Sequence, residues 1–204
     1  MAFGPEINAA YTDGARIALR EPSIADLDAL FEYKDEDALD YLSDLPGEYQ
    51  ALFQSTPDMY LSEVERFGRI SHWGIYGAQP SEADGRLIGL SSLLPTKTAF
   101  DVILLAPGSR GKGFGTRTTR LLMAVHFMRS PRSASIDTFI DRDNEPSLRM
   151  AAKVGMAELP ALDSTSFLRH FQRSRPNVPE QASYETFVRC LGEQSLASAT
   201  IAFA

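Results

Sequence analysis

Between an apolar run that ends at Ala106 and an amphipathic run that opens at Phe114 lies Pro107-Gly108-Ser109-Arg110-Gly111-Lys112-Gly113, with Gly115 just beyond. A strand that enters this segment and a helix that leaves it meet through backbone nearly bare of side chains, in conformations that glycine takes freely. The first amide N–H groups of the helix then point outward without intrahelical partners, which makes an anion site. Two glycine motifs fail on spacing. A dinucleotide fingerprint needs glycine at 116, where the chain has Thr116, and a P-loop needs Gly-Lys-Ser/Thr, where it has Gly111-Lys112-Gly113. A cradle for phosphate or pyrophosphate remains, flanked by Arg110 and Lys112; the plainer alternative is a flexible turn with ordinary surface charges.

Periodicity places this loop within a mixed α/β chain. Residues 16–20 alternate like a strand, and Ser23 with Asp26 forms a capping-box pair at the head of a helix carrying Leu27, Leu30 and Phe31. A second helical segment, 48–66, is broken at Thr56-Pro57. Runs 70–76 and 87–94 read as a hairpin about a polar turn at 79–85, and 99–106 reads as the next strand. After the loop, Thr118, Leu121, Leu122, Val125 and Met128 share one helix face that ends before Pro131. Residues 135–140 form a strand, and Asp141-Arg142-Asp143-Asn144 turns into a helix with Pro146 in its first turn and Gly155 as its stop. Late strands are expected near 156–159 and 184–191, on either side of a long polar connection, and 195–204 reads as a loosely attached tail. Strands joined partly by hairpins and partly by crossovers exclude a wholly parallel, doubly wound sheet.

At 204 residues the chain is expected to be one domain, 1–204, with its core at about 16–191 and 192–204 as the tail. The composition is that of a globular domain, with 44% apolar and 23% charged residues. The start carries no signal-peptide pattern and no apolar run approaches a membrane span, so the expected location is cytoplasmic. The single cysteine, Cys190, excludes an internal disulfide and a thiolate metal cluster, and its thiol is expected in the core. A net charge of −7 argues against a nucleic-acid binder. The charges are laid out unevenly: from Glu21 to Glu65 there are thirteen acids and one base, Lys34, and from Pro107 to Ile136 six bases and no acid. Two solvated helix faces would also give such a map.

Arg110-x-x-Gly113-x-Gly115 resembles the Arg/Gln-x-x-Gly-x-Gly/Ala signature of the GNAT superfamily of N-acetyltransferases. Asn144-Glu145-Pro146-Ser147 leading to Lys153-Val154-Gly155-Met156 resembles the Asn-x-x-Ser helix and Lys-x-Gly-Phe ending of its Rim-type branch, which acetylates ribosomal protein N-termini. Trp73 and Leu87-Ile88-Gly89 fit that branch too, so the resemblance spans about 16–159. It implies a mostly antiparallel central sheet flanked by helices, with a cofactor cleft splayed between the fourth and fifth expected strands, 99–106 and 135–140. Carried over by position, Ile103, Leu104 and Leu105 would hold the pantetheine chain of acetyl-CoA through main-chain groups. Arg110, Gly111, Lys112, Gly113, Phe114, Gly115 and Thr116 would take its pyrophosphate. Asn144 would touch the pantetheine arm, and Ser147 would donate a hydrogen bond to the leaving thiolate. Asn144 is equally well placed as a helix cap. Many relatives carry a tyrosine acid where this chain has Ala151, so a tyrosine-based mechanism is out.

The reaction so implied is attack of a neutral amine on a thioester, which needs N–H donors at the developing oxyanion and a base or water chain for the amine proton. Candidate bases are Asp101, Asp137 and His72, each of which also has an ordinary structural reading. His126 reads as structural, and nothing assigns a role to His170. The resemblance implies that the first helices and the late hairpin line the acceptor side, and the acidity of that first region would favour a cationic acceptor such as a peptide N-terminus, a polyamine or an aminoglycoside. The expected partners are acetyl-CoA as donor substrate and an amine acceptor, with no metal, nucleic acid or membrane; a homodimer stays open. A catalytically silent acyl-CoA-binding module is the alternative, kept alive by Ala151. A nucleotide-binding domain with another chemistry survives only if the glycine loop binds something other than CoA.

Overall fold

The computed structural model describes residues 4–32, 71–82, 85–94, 99–103, 106–160, 167–179 and 181–202, with 31, 32, 94, 99–103 and 107 described through the main chain. Along them run β1 (Glu6–Tyr11), β2 (Arg16–Arg20), α1 (Ile24–Glu32), β3 (Ser71–Ala78), β4 (Arg86–Leu94), β5 (Ala99–Ile103), a single 3-10 turn (Pro107–Ser109), α2 (Phe114–Arg129), β6 (Ser135–Asp141), α3 (Glu145–Lys153), β7 (Ala157–Glu158), β8 (Leu168–Ser174), α4 (Tyr184–Cys190) and β9 (Leu196–Ala202). The strands form one sheet in the order β7-β8-β6-β5-β4-β3-β2-β1-β9. Every junction is antiparallel except β5 with β6. This is the mixed, mostly antiparallel sheet flanked by helices that the resemblance implied.

The two faces of the sheet are covered differently. Ile7, Ile17, Leu19, Trp73, Ile75, Ile136 and Phe171 pack with the three C-terminal helices into the larger core. On the opposite face, Leu27 and Leu30 of α1 pack with Tyr76, Leu87, Leu90 and Ala106. The capping box at α1 forms as read: the Asp26 amide donates to Ser23 Oγ at 3.1 Å, and Asp26 Oδ2 accepts from the Ser23 hydroxyl at 2.6 Å and from Tyr76 at 2.8 Å. α2 is more enclosed than its apolar stripe foretold, for Met123, Ala124 and His126 are buried along with Leu121, Leu122 and Val125. It lies between the sheet and α4, whose Tyr184 hydroxyl donates to the Leu121 carbonyl at 3.0 Å.

Four expectations are corrected. Residues 184–191 form not a strand but α4: Ser183 caps it by accepting from the Thr186 amide, and Tyr184, Phe187, Val188 and Leu191 are buried at helical spacing. The tail is also structural, since Leu196–Ala202 is β9, paired with β1 from Glu6–Ala202 to Tyr11–Leu196. Neither β1 nor β8 was expected; β8 lies inside the long polar connection and pairs with all of β6. Cys190, expected in the core, is exposed at the end of α4. The helical segment read at 48–66 lies outside the described residues.

The junction of β5 and β6 interrupts the regular ladder of the sheet. β5 registers with β4 over five residue pairs, from Leu90–Ile103 to Leu94–Ala99. With β6, among the described residues, it registers only at Ala99 opposite Asp137. Both strands run the same way from that point, and among the described residues no further ladder pair joins them toward their carboxyl ends. Such an opening at the carboxyl ends of parallel strands is where α/β sheets bind ligands.

Candidate functional site

The two segments singled out from the sequence flank this opening. The glycine loop follows β5, and the Asp141–Asn144 turn follows β6. The loop is tied down at its base, where the Ala106 amide donates to Ile88 O at 2.6 Å and the Ser109 amide to Ala106 O at 2.8 Å. Phe114 is buried and anchors the head of α2; a β-carbon on Gly77 of β3 would stand 2.9 Å from its ring, so Gly77 is what lets the helix come this close. Gly111 and Gly113 have φ of +74° and +85°, the left-handed region glycine favours, and Gly113 is the N-cap of α2 without a side-chain cap bond. A β-carbon added at either would meet nothing within 4 Å among the described residues. The first turn of α2 contains no acid. Bare backbone, outward N–H groups at Gly113, Phe114, Gly115 and Thr116, and open space above them fit an anionic group such as a pyrophosphate. Arg110 and Lys112 are both exposed beside it. The structure adds a cation that sequence spacing had no means of finding: Arg86, at the start of β4, stands 3.6 Å from where a β-carbon of Gly108 would be.

Three other bases of the stretch are engaged within the fold. Arg117 pairs with Asp13 at 2.6 Å and lies over the Tyr11 ring, Arg120 pairs with the buried Glu193 at 2.7 Å, and Arg129 donates to Ser71 Oγ at 3.0 Å. The six bases therefore do not make one anion-binding face, and Arg110 and Lys112 are the two that belong to the loop itself.

Across the opening, Asn144 is the N-cap of α3, its Oδ1 accepting from the Ser147 amide at 3.1 Å. Its capping role is thereby real. Ser147 is half-buried in the first turn, and one turn on Ala151 is fully buried among the larger core's residues. That burial accounts for a small residue at 151.

Register relates the backbone positions of the candidate bases across neighbouring strands. His72 of β3 registers with Ser92 of β4, and Ser92 with Asp101 of β5, giving one row across three strands. Burial pushes the His72 imidazole down to about 4, so it is neutral at pH 7. Asp137 of β6 registers with Ala99, beside this row. Its Oδ1 accepts from His170 Nε2 and from Gln172 Nε2, each at 2.9 Å. His170, in a segment the sequence left unassigned, thus joins the site's surroundings because β8 pairs with β6. His126 is buried, its Nε2 within 2.9 Å of Ser133 Oγ, and is structural as read. Ile103 ends β5; Leu104 and Leu105 lie outside the described residues, as does the acidic stretch from 33 to 65.

The candidate site is thus a parallel pair that parts after one register position, with a glycine turn at one lip and a capped helix at the other. Residues 16–157 match the family model described as acetyltransferase (GNAT) domain. The chain belongs to this family and is an N-acetyltransferase with acetyl-CoA as its donor. No curated protein matches its sequence significantly. Among solved structures it resembles Mycobacterium smegmatis RimJ in complex with CoA-disulfide, at a TM-score of 0.61 and 14% identity over 93% of this chain and 94% of that one. It also resembles RimL, a ribosomal L7/L12 alpha-N-protein acetyltransferase in complex with coenzyme A, at TM-score 0.54 and 14% identity over 78% and 93% of the two chains. A spermidine N-acetyltransferase SpeG chimera from Vibrio cholerae and hSSAT matches at TM-score 0.52 and 14% identity over 78% and 95%. At such identities the likeness is one of fold. Among the described residues, no helix is long and apolar enough to cross a membrane.

Proposed function

We propose that this enzyme transfers acetyl from acetyl-CoA directly to a primary amine, either a peptide N-terminus or a small cationic amine. The observation that carries the site assignment is the pair of left-handed glycines, Gly111 and Gly113, facing open space at the head of an acid-free helix beside the split of β5 and β6. The amides of Gly113 to Thr116 hold the pyrophosphate, with Arg110, Lys112 and Arg86 neutralising its charge. By the resemblance to the family, Ile103, Leu104 and Leu105 are assigned to the pantetheine arm, with a main-chain N–H for the thioester carbonyl as negative charge develops on its oxygen. The Ser147 hydroxyl donates to the thiolate as the C–S bond breaks. Asn144 fixes the start of α3 and so the placing of Ser147.

The cationic acceptor rests on the thirteen acids against one base between Glu21 and Glu65. The Rim-type branch is supported by the Asn144-x-x-Ser147 helix and by the extent of the likeness to RimJ, and a spermidine acetyltransferase among the structural relatives fits a polyamine equally. We place the chain in the cytoplasm as one N-acetyltransferase domain. An amine panel tests the reading: peptides with free N-termini, polyamines, aminoglycosides and neutral amines are incubated with acetyl-CoA, thiol release is followed, and products are weighed by mass spectrometry. Acetylated cationic amines are expected. Binding of acetyl-CoA without any acetylated product would leave only the silent acyl-CoA-binding module that Ala151 keeps in view.

A further inference from the structure

We infer that His170 is the group that takes the proton from the acceptor amine, with Asp137 as its positioning residue, on the sheet face that also carries α1. The inference rests on the functional reading above. The two side chains belong to neighbouring strands, and both are largely covered yet reachable, at 20% and 13% exposure. Asp137 sits at the last register position shared by β5 and β6, where the split begins. Register puts His170 opposite Phe139, two residues further along β6 toward the open end. The Phe139 ring stacks on the imidazole at 4.6 Å and 15°, fixing its plane, and is itself 47% exposed.

The chemistry of the pair sets the tautomer. An ionised carboxylate only accepts hydrogen bonds, so the 2.9 Å contact to Asp137 Oδ1 requires the ring proton on Nε2. The lone pair of the neutral ring then belongs to Nδ1. Gln172 donates to the same carboxylate oxygen from the other side and holds it in place. Other charged groups on β6, β7 and β8 are Asp141, further along the same face of β6, Glu158 with Arg169, which pair with each other, and Arg173, which donates to the Gly155 carbonyl at 2.8 Å.

The bound ammonium passes one proton to His170 Nδ1, and the imidazolium so formed is stabilised by Asp137. The freed nitrogen lone pair forms the C–N bond at the acetyl carbon as the C–S bond breaks. A second N–H proton goes to the departing thiolate, and His170 returns its proton to water. Charge and atoms balance, and no oxidant or metal is called for.

The free protein gives the first test. A long-range proton–nitrogen spectrum of histidine-labelled chain, with His170 assigned by the signals that His170→Gln removes, is expected to show the Nε2–H tautomer in the wild type and its loss in Asp137→Asn. Turnover gives the second: His170→Gln is expected to lower kcat/KM for the amine at least a hundredfold and to abolish the fall of kcat/KM on the acid side. Its acetyl-CoA affinity and melting temperature stay near wild type. Gln172→Ala, which keeps the imidazole, retains the acid limb. A wild-type Nδ1–H tautomer, or a wild-type pH profile in His170→Gln, would overturn the inference. A wild-type chain that acetylates no amine would overturn the functional reading instead, and the tautomer, measured without any substrate, keeps the two failures apart.

Discussion

At Ser147 the structural role and the proposed chemical one belong to different atoms, which mutation separates. Its amide donates to Asn144 Oδ1 and so belongs to the helix cap, whereas its hydroxyl is assigned to the thiolate. Ser147→Ala keeps the amide and removes only the hydroxyl. It is expected to lower kcat about tenfold, worth about 1.4 kcal/mol, with little change in KM for acetyl-CoA; steady-state kinetics check this, and an unchanged kcat removes the hydroxyl from the mechanism. Asn144→Ala should instead cost about 1 kcal/mol of stability through the lost cap. His72 offers a test of a different kind. Burial holds its imidazole at about 4, below its ordinary 6.5, so the folded chain binds this proton later than the unfolded chain does. The sign follows: His72 takes nothing from stability above about pH 6.5, and its penalty grows as pH falls toward 4, reaching about 3 kcal/mol. Melting midpoints between pH 7 and 4 should therefore drop less steeply in His72→Gln than in the wild type, and equal slopes would contradict the account. At this scale the glycine turn before α2 and the Asn144 cap were legible in the sequence, because local spacing marks a strand–turn–helix and a cap. His170 and Arg86 were not, since each enters through strand pairing that local pattern does not encode.

Elements were legible where their own period was strong. The hairpin of β3 and β4, the helices after the glycine loop and after Asn144, and the capping box at Ser23 all form as read. Polar β8, with its sequence Leu168-Arg169-His170-Phe171-Gln172-Arg173-Ser174, shows little apolar alternation because β6 and β7 supply its pairing. α4 misled in the other direction: aromatic and β-branched residues in Tyr184-Glu185-Thr186-Phe187-Val188 suggest a strand, but packing against α2 and the Ser183 cap override that preference. β9 matters for stability through its ladder with β1 and through the link from the preceding turn to α2, where Arg120 and Glu193 pair at 2.7 Å with both side chains largely buried. Glu193→Ala leaves the Arg120 charge covered and unpaired and is expected to cost about 3 kcal/mol, seen as a lower urea midpoint at unchanged m. Removing residues 196–204 uncovers β1 as an edge and should lower the melting temperature markedly. A truncated chain as stable as the full one would return this segment to the status of a tail.

Over the whole molecule, the asymmetry of charge connects sequence to acceptor. If the field of the 21–65 region gathers a cationic amine, raising salt from 0.1 M to 1 M, which shortens the Debye length from about 10 Å to about 3 Å, should raise the amine KM with acetyl-CoA saturating. Charge reversal at Asp35, Glu36 or Asp37 should do the same at low salt. Neutral amines used as well as cationic ones, with a KM indifferent to salt, would contradict the cationic acceptor and leave the donor site untouched. The donor site is the central claim, and calorimetric titration of acetyl-CoA tests it most directly. Wild type, Gly113→Ala and Gly113→Asp are compared, each first shown to melt cooperatively, because a β-carbon at φ +85° strains the loop in both variants. The account predicts that Gly113→Asp, which sets a carboxylate against the pyrophosphate, binds at least tenfold more weakly than Gly113→Ala, a difference of about 1.4 kcal/mol or more. Equal affinities in Gly113→Asp and the wild type would contradict it.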